Sequence, residues 1–448
     1  MYLKERLRVG INAQLTPDGA SGGVETVLRA LTALARLEDG AETYVFIGPH
    51  DEPEWLRALL PAGQRIVRGP ASVEWSIDRL EPFKRALGPL RPAARGIKRM
   101  FTATATTAAT AVGIRASSKY FAPAPPKNFF EGLGCDVIHF PFQTFEPCAL
   151  PSIYNPHDLQ HLHHPEFFTP FEIARRESLH PAACRAAHTV VVASQFVKSD
   201  VVKRYGIDVE KVQVIPWAPP PLSEYARTAH ADEFLTLKKK YELRDKPFAL
   251  YPAMTWEHKN HVRLLEALAR LRDVEALELC FVCTGHKTDF WPQIERRMNE
   301  LGLREQVKFL GLVSRDELSV LYRAAQFVFI PTLFEAASAP VFEAWQHGAP
   351  VACSSVTSLP QQAAGAALLF DPFDVWEIAR ALERMATGER LRDELRRRGA
   401  RRLEDFSLER TAKAYRAIYR RAAGRALDEE DRWLLSWDWM RQPLTIEP

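Results

Sequence analysis

The chain has no long apolar run. Its longest stretch without Asp, Glu, Lys or Arg, from Ala344 to Phe370, is interrupted by Pro350, Pro360, Gln361, Gln362 and several serines. The uncharged run from Met100 to Ile114 is dense in Thr and Ala. Neither suits the hydrocarbon core of a bilayer. The opening MYLKERLRVG is charged and leads straight into an apolar strand, without the apolar centre of a signal peptide. Cysteine is sparse, six residues in 448. The only close pair, Cys280 and Cys283, lies inside the apolar run LELCFVCTG and has no second ligand pair at zinc spacing. It reads as buried strand in a protein of a reducing, cytoplasmic compartment. An excess of one charge is missing too: the formal net charge of +3 gives no field for a nucleic-acid partner. The sequence contains no Asp-x-Asp, a motif that would hold a divalent ion against a diphosphate.

What is present is the balance of a folded protein, 46% hydrophobic and 26% charged, in a chain too long for one ordinary core. Short apolar runs alternate with helical patterns, which predicts parallel sheets flanked by helices. The first series of expected strands is Arg8–Asn12, Tyr44–Gly48, Val137–Phe140, Ser152–Pro156, Thr189–Ser194 and Val212–Pro216. A helix with Val24, Val27, Leu28, Leu31 and Leu34 on one face follows the first of them. Ser194 is a suitable cap for another helix, and Gly206 a suitable stop. The second series is Phe248–Ala253, Leu277–Thr284, Val307–Leu310, Phe327–Ile330, Val351–Ser354 and Ala367–Phe370. Capping signals stand at Ser314 with Glu317 and at Asp374 with Glu377.

The expected organisation is therefore α/β, two doubly wound units facing a central cleft. A first domain spans residues 1–230 and carries an insertion at about 65–130. A second spans 231–420, and a tail from 421 to 448 packs back toward the first. The linker is the Pro-rich stretch Trp217 to Glu233. Within the insertion, Pro82 to Tyr120 holds eight Lys or Arg and no acid, interleaved with apolar residues. It reads either as a solvated insertion or as a surface resting on an anionic membrane. In the tail, Trp433 and Trp437 share a helical face and ask for burial.

The stretch FVFIPTLFEAASAPVFEAWQHGAPVAC carries the most chemistry. A strand ends at Ile330, a loop of small residues follows, and a helix begins near Ala339-Pro340 with Ser338 placed to cap it. Free N–H groups at such a helix start suit a phosphate or a sugar hydroxyl. Glu335 stands before the pocket and Glu343 one turn inside the helix, where carboxylates can accept hydrogen bonds from vicinal hydroxyls.

With this E-x7-E element, the sequence resembles the large retaining glycosyltransferase family 4, of the two-Rossmann GT-B fold, whose members include bacterial mannosyltransferases. The likeness is strongest from about Phe248 to Asp374, through YPAMTWEHKNHVRLLEAL and VKFLGLVSRDELSVLYRAAQFVFIPTLFEAASAPVFEAWQHGAPVA. GASGGVE, NPHDLQHLHHPEFF, VVASQFVKSDVV and VQVIPWAPP follow the expected order in the first half.

The resemblance implies that Glu335 holds the transferred sugar and Glu343 the donor ribose. It places Ala336, Ala337, Ser338 and Ala339 at the sugar hydroxyls and phosphate, and Lys259 at the leaving diphosphate. Gly22 and Gly23 would let the first-domain backbone approach the diphosphate, Val313 would lie near the base, and His157 near the reacting carbon. No cofactor or metal is implied; the donor is a GDP- or UDP-sugar, and the acceptor a glycan or lipid-linked molecule. His161, His163 and His164 belong to the same loop rather than to a metal site. Two departures stand out. Many relatives carry an Arg shortly before the lysine, where this chain reads Ala253-Met254-Thr255-Trp256; its charge would have to come from His258 or a first-domain base. Ala-Ala-Ser-Ala also replaces the common Gly-Phe-Gly after the first Glu. These departures motivate one alternative to a transferase, a non-catalytic sugar-nucleotide-binding relative, and the shared fold gives another, a sugar-nucleotide epimerase, which would act without acceptor.

Overall fold

The computed structural model describes residues 6–14, 22–48, 54–69, 128–219 and 231–439. The basic segment 82–120, most of the Pro-rich linker and residues 440–448 lie outside them.

Two parallel sheets account for the alternation. The first holds β1 (Arg8–Asn12), β2 (Thr43–Gly48), β3 (Ile66–Arg68), β4 (Val137–Phe140), β5 (Ser152–Tyr154), β6 (Thr189–Val192) and β7 (Val212–Val214). Their order across the sheet is β3-β2-β1-β4-β5-β6-β7. The second holds β8 (Phe248–Pro252), β9 (Cys280–Thr284), β10 (Val307–Phe309), β11 (Phe327–Ile330), β12 (Val351–Ser354) and β13 (Leu368–Phe370), in the order β10-β9-β8-β11-β12-β13. Central strands such as VIHF and FVFI are buried at every position, because helices cover both sheet faces. Both cysteines of LELCFVCTG are buried in β9. Several strands stop a residue or two short of the expected runs, and β3 was not expected at all.

Strand order fixes where ligands can sit. Each sheet reverses direction once, between β1 and β4 in the first and between β8 and β11 in the second. The crevice at such a switch opens beyond the carboxyl ends of the strands. Beyond β8 lies the segment ending at Lys259, beyond β11 the loop holding Glu335, and beyond β5 the turn holding His157.

Local signals set the helices. Ser194 Oγ accepts from the Val197 N–H, and Gly206, with φ of 64°, ends that helix. Ser314 and Glu317 form a reciprocal capping box. Asp374 caps its helix through the Trp376 N–H alone, without the reciprocal bond to Glu377.

The chain returns to the first domain earlier than residue 421. The helix Leu408–Ala422 already packs against the first sheet, with Ala412, Tyr415, Ile418 and Tyr419 in the same core as Val9, Ile11, Leu28 and Leu31. It is fastened by a buried polar network. The Tyr419 hydroxyl donates to His139 Nδ1 (2.7 Å), His139 Nε2 donates to Asn155 Oδ1 (2.6 Å), and Asn155 Nδ2 donates to the Tyr415 hydroxyl (3.1 Å). Trp437 and Trp439 are buried in that same core, while Trp433 stacks on Trp437 and stays partly exposed.

Candidate active site

A cleft of about 640 Å³ runs between the two sheets. His157, Asp158, Arg176 and Trp217 stand on its first-domain wall, and Lys259, Val313, Glu335 and Glu343 on its second-domain wall.

Lys259 and Glu335 are brought together by loop-to-loop hydrogen bonds. Leu333 N–H and Thr332 Oγ both donate to the His258 carbonyl, and Asn260 Nδ2 donates to the carbonyls of Pro331 and Pro372. The Tyr251 hydroxyl, rising from β8, donates to the Lys259 carbonyl (2.8 Å). Asn260 takes a left-handed φ of 61°, which turns the chain into the helix His261–Val274. On the other side, Thr357 and Ser358 hydroxyls donate to the Glu335 carbonyl (2.7 and 2.8 Å). The result is an ion pair, Lys259 Nζ to Glu335 Oε1 at 2.6 Å, with both side chains largely shielded from water. Each charge satisfies the other, so neither is left desolvated alone.

Glu343 sits one turn into the helix Ala339–Gln346 and accepts from the Tyr322 hydroxyl (2.7 Å). Tyr322 in turn stacks flat on His347, whose Nδ1 donates to the Glu343 carbonyl. One carboxylate oxygen is thus fixed by a ring that is itself held in place.

His157 adopts a left-handed φ of 64°, and its Nε2 donates to the Pro141 carbonyl (2.7 Å). Burial lowers its proton affinity, so the ring is neutral and Nδ1 keeps its lone pair. His258 cannot replace the missing arginine: burial, and next the charge of Lys259, hold its pKa well below the ordinary histidine value. Among the described residues, Arg176 is the first-domain arginine on the cleft. Its nearest charged partner is Asp158, a long 3.4 Å away, and its guanidinium lies over Phe168. His161, His163 and His164 each go to a different carboxylate, Glu177, Asp200 and Glu166.

Ala336, Ala337 and Ala339 line the cleft, but Ser338 does not lie on its described wall. Ser338 occupies the cap position without capping: its Oγ is buried without a partner, and its N–H donates to Gln362 Oε1 (2.9 Å). The expectation that Ser338 caps the helix is corrected: its Oγ accepts no N–H of the first turn. Gly22 and Gly23 open the helix Gly22–Leu34 and are not part of the described lining.

Sequence reasoning also missed Gly285, Trp217 and Arg176 as parts of the cleft. Gly285 had a readable signal, a glycine closing an apolar strand. A Cβ there would stand 2.6 Å from the Ala253 carbonyl carbon, so the loops after β8 and β9 can touch only if this residue is glycine. Nothing local marks Arg176, which is one of several basic residues on a long helix.

Two doubly wound domains facing a cleft, with this carboxylate–lysine pair on the second, define a GT-B glycosyltransferase fold. The family model for glycosyl transferases group 1 matches residues 233–402, and that for glycosyltransferase family 4 matches residues 114–218. Together they span well over half the chain, which belongs to glycosyltransferase family 4 and is a glycosyltransferase. O-antigen chain mannosyltransferase B of Escherichia coli is 28% identical over 288 residues, 60% of this chain and 73% of that protein. O-antigen chain mannosyltransferase RfbU of Salmonella typhimurium is 26% identical over 220 residues, 49% of this chain and 56% of that one. Among solved structures, a glycosyltransferase from Rickettsia africae superposes with a TM-score of 0.64 at 13% identity, covering 94% of this chain and all of that one. No helix among the described residues is long and apolar enough to cross a membrane.

Proposed function

We propose that this protein transfers a hexose, with mannose favoured, from a GDP- or UDP-sugar to a glycan or lipid-linked acceptor, with retention of configuration and without a metal. The observation that carries the reading is the Lys259–Glu335 pair on the cleft at the switch point of the second sheet. The similarity to O-antigen mannosyltransferases supports the choice of mannose and of a glycan acceptor.

In this scheme the donor comes between Lys259 and Glu335. Glu335 turns to the sugar hydroxyls and Lys259 to the diphosphate, where a fixed cation stabilises the charge that builds as the bond to the anomeric carbon breaks. Free N–H groups of the loop and the start of the helix Ala339–Gln346 assist it. Glu343, steadied by Tyr322, accepts from the ribose. The acceptor hydroxyl attacks from the face the diphosphate leaves, and its proton passes to a departing phosphate oxygen. His157, neutral and fixed by Pro141, orients the sugar rather than donating a proton. The absence of Asp-x-Asp and the presence of Lys259 favour charge neutralisation by the protein itself. Six free thiols fit a reducing compartment and work on the cytoplasmic side, with the basic segment 82–120 as the candidate contact with anionic membrane.

The test is to incubate the protein with GDP-mannose, UDP-glucose and related donors, with and without mannosides and lipid-linked glycans, in EDTA. NMR of the product should show an axial anomeric linkage matching the donor. Binding without turnover on any acceptor would point to a non-catalytic relative, and product without acceptor to an epimerase.

A further inference from the structure

The donor loop is shaped by residues that never face the cleft. Gln362, 1% exposed, lies on the short helix Leu359–Ala363 and grips the Ser338 backbone at both its N–H and its carbonyl. Its Oε1 accepts from the Ser338 N–H (2.9 Å) and its Nε2 donates to the Ser338 carbonyl (2.8 Å). Arg402 holds Gln362 from behind: Nε donates to the Gln362 carbonyl (3.0 Å), a second nitrogen to the Gln361 carbonyl (3.1 Å), and the third to Asp405 (2.5 Å). Arg402 and Asp405 are both buried. The backbone N–H groups of Ala336 and Ala337, two and one residues before the clamped Ser338, meet no acceptor among the described residues, although both residues line the cleft.

A buried side-chain amide that pairs with both the N–H and the carbonyl of one residue fixes the two peptide planes that flank it, 337–338 and 338–339, and the loop before them follows. Without that grip the loop could turn its N–H groups onto its own carbonyls, as backbone donors without partners tend to do. We propose that Gln362, braced by Arg402, is a positioning residue that keeps the Ala336 and Ala337 N–H groups aimed at the diphosphate sugar. The proposal rests on the transfer reading above. Its location adds a link to the fold. Phe406, next to Asp405, packs edge-on against Phe342 in the helix that begins at the donor loop (4.7 Å), and the chain leaves for the first domain two residues later.

The experiment compares Gln362→Met with Gln306→Met. Gln306 is an equally buried amide of the same domain that donates to the Leu279 carbonyl away from the cleft. Arg402→Lys, which keeps a charge beside Asp405 but cannot span both carbonyls, serves as a second variant should Gln362→Met fold poorly. Melting temperature, calorimetric Kd for GDP and UDP, and the donor KM against kcat are measured for each. Gln362→Met should raise the Kd and donor KM by roughly tenfold, the loss of about one hydrogen bond to a charged group. Arg402→Lys should shift both the same way by less. Gln306→Met should lower the melting temperature comparably and leave the Kd unchanged. An unchanged Kd in both Gln362→Met and Arg402→Lys, or an equal rise in Gln306→Met, overturns the proposal. If the wild-type protein binds neither diphosphate, the transfer reading falls and this inference with it. If Lys259→Met loses binding while Gln362→Met does not, only this inference falls.

Discussion

Lys259 and Glu335 lie 76 residues apart and meet at 2.6 Å because two loops are stitched together by backbone carbonyls and an asparagine amide. The sequence singled out both residues, Glu335 as the first carboxylate of the E-x7-E element and Lys259, after the strand FALYPA, through the family resemblance. Their pairing was not legible, because no local pattern encodes a contact between loops. The same limit applies at Ser338: its neighbours spelled a helix cap, while the group that holds its backbone, Gln362, lies 24 residues on. At this scale the account predicts that Lys259→Ala and Glu335→Ala each reduce turnover by roughly 10²-fold or more, the cost of one contact to developing charge. Steady-state assays beside a melting curve check it; near-normal rates in either variant remove that residue from the scheme. Tyr322→Phe should raise the donor KM several-fold, on the order of one hydrogen bond to a carboxylate, with kcat little changed.

At the scale of elements, strands and caps were read well where the signal is local. Ser314 with Glu317 is a capping box, as its spacing predicts, and Ser314→Ala should cost about 1 kcal/mol in urea unfolding. The strand Ile66–Arg68 escaped because it is a three-residue sheet edge, half-buried and without a full apolar run. The helix Leu408–Ala422 was assigned to the wrong domain for a similar reason. Its apolar face is plain, but the sheet it covers begins at Arg8, almost 400 residues earlier. Its buried tyrosines give a direct test. Tyr419→Phe takes the proton donor from His139 Nδ1 and leaves a buried nitrogen unpaired, so stability should fall by about 1–3 kcal/mol. A loss within error of zero would mean that water reaches this ring.

For the molecule as a whole, the two-domain plan was visible in the alternation of strands and helices, and the strand order then placed the cleft. What holds the halves together was visible only in part: the returning tail was expected, the buried tyrosine–histidine–asparagine network of the helix Leu408–Ala422 was not. Buried imidazoles make the fold sensitive to acid. Desolvation keeps His139 and His261 neutral, with pKa values of about 3, against 6.5 for a free histidine. Between those values the unfolded chain binds protons that the folded one refuses. Stability is therefore full above pH 6.5 and falls as pH drops toward 3, each ring contributing up to ~1.4 kcal/mol per pH unit. Urea midpoints between pH 7.5 and 5 should decline, and His261→Phe, whose ring nitrogens have no partners, should shallow that slope. A slope unchanged by His261→Phe would show that other groups govern the acid limb.

The most direct test of the central claim is titration calorimetry of the protein with GDP and UDP in EDTA, for the wild type and Lys259→Ala. The account predicts saturable binding of one diphosphate by the wild type, weakened at least tenfold by the substitution, about the loss of one charge contact. Binding that Lys259→Ala leaves unchanged, or that vanishes in EDTA, would contradict it.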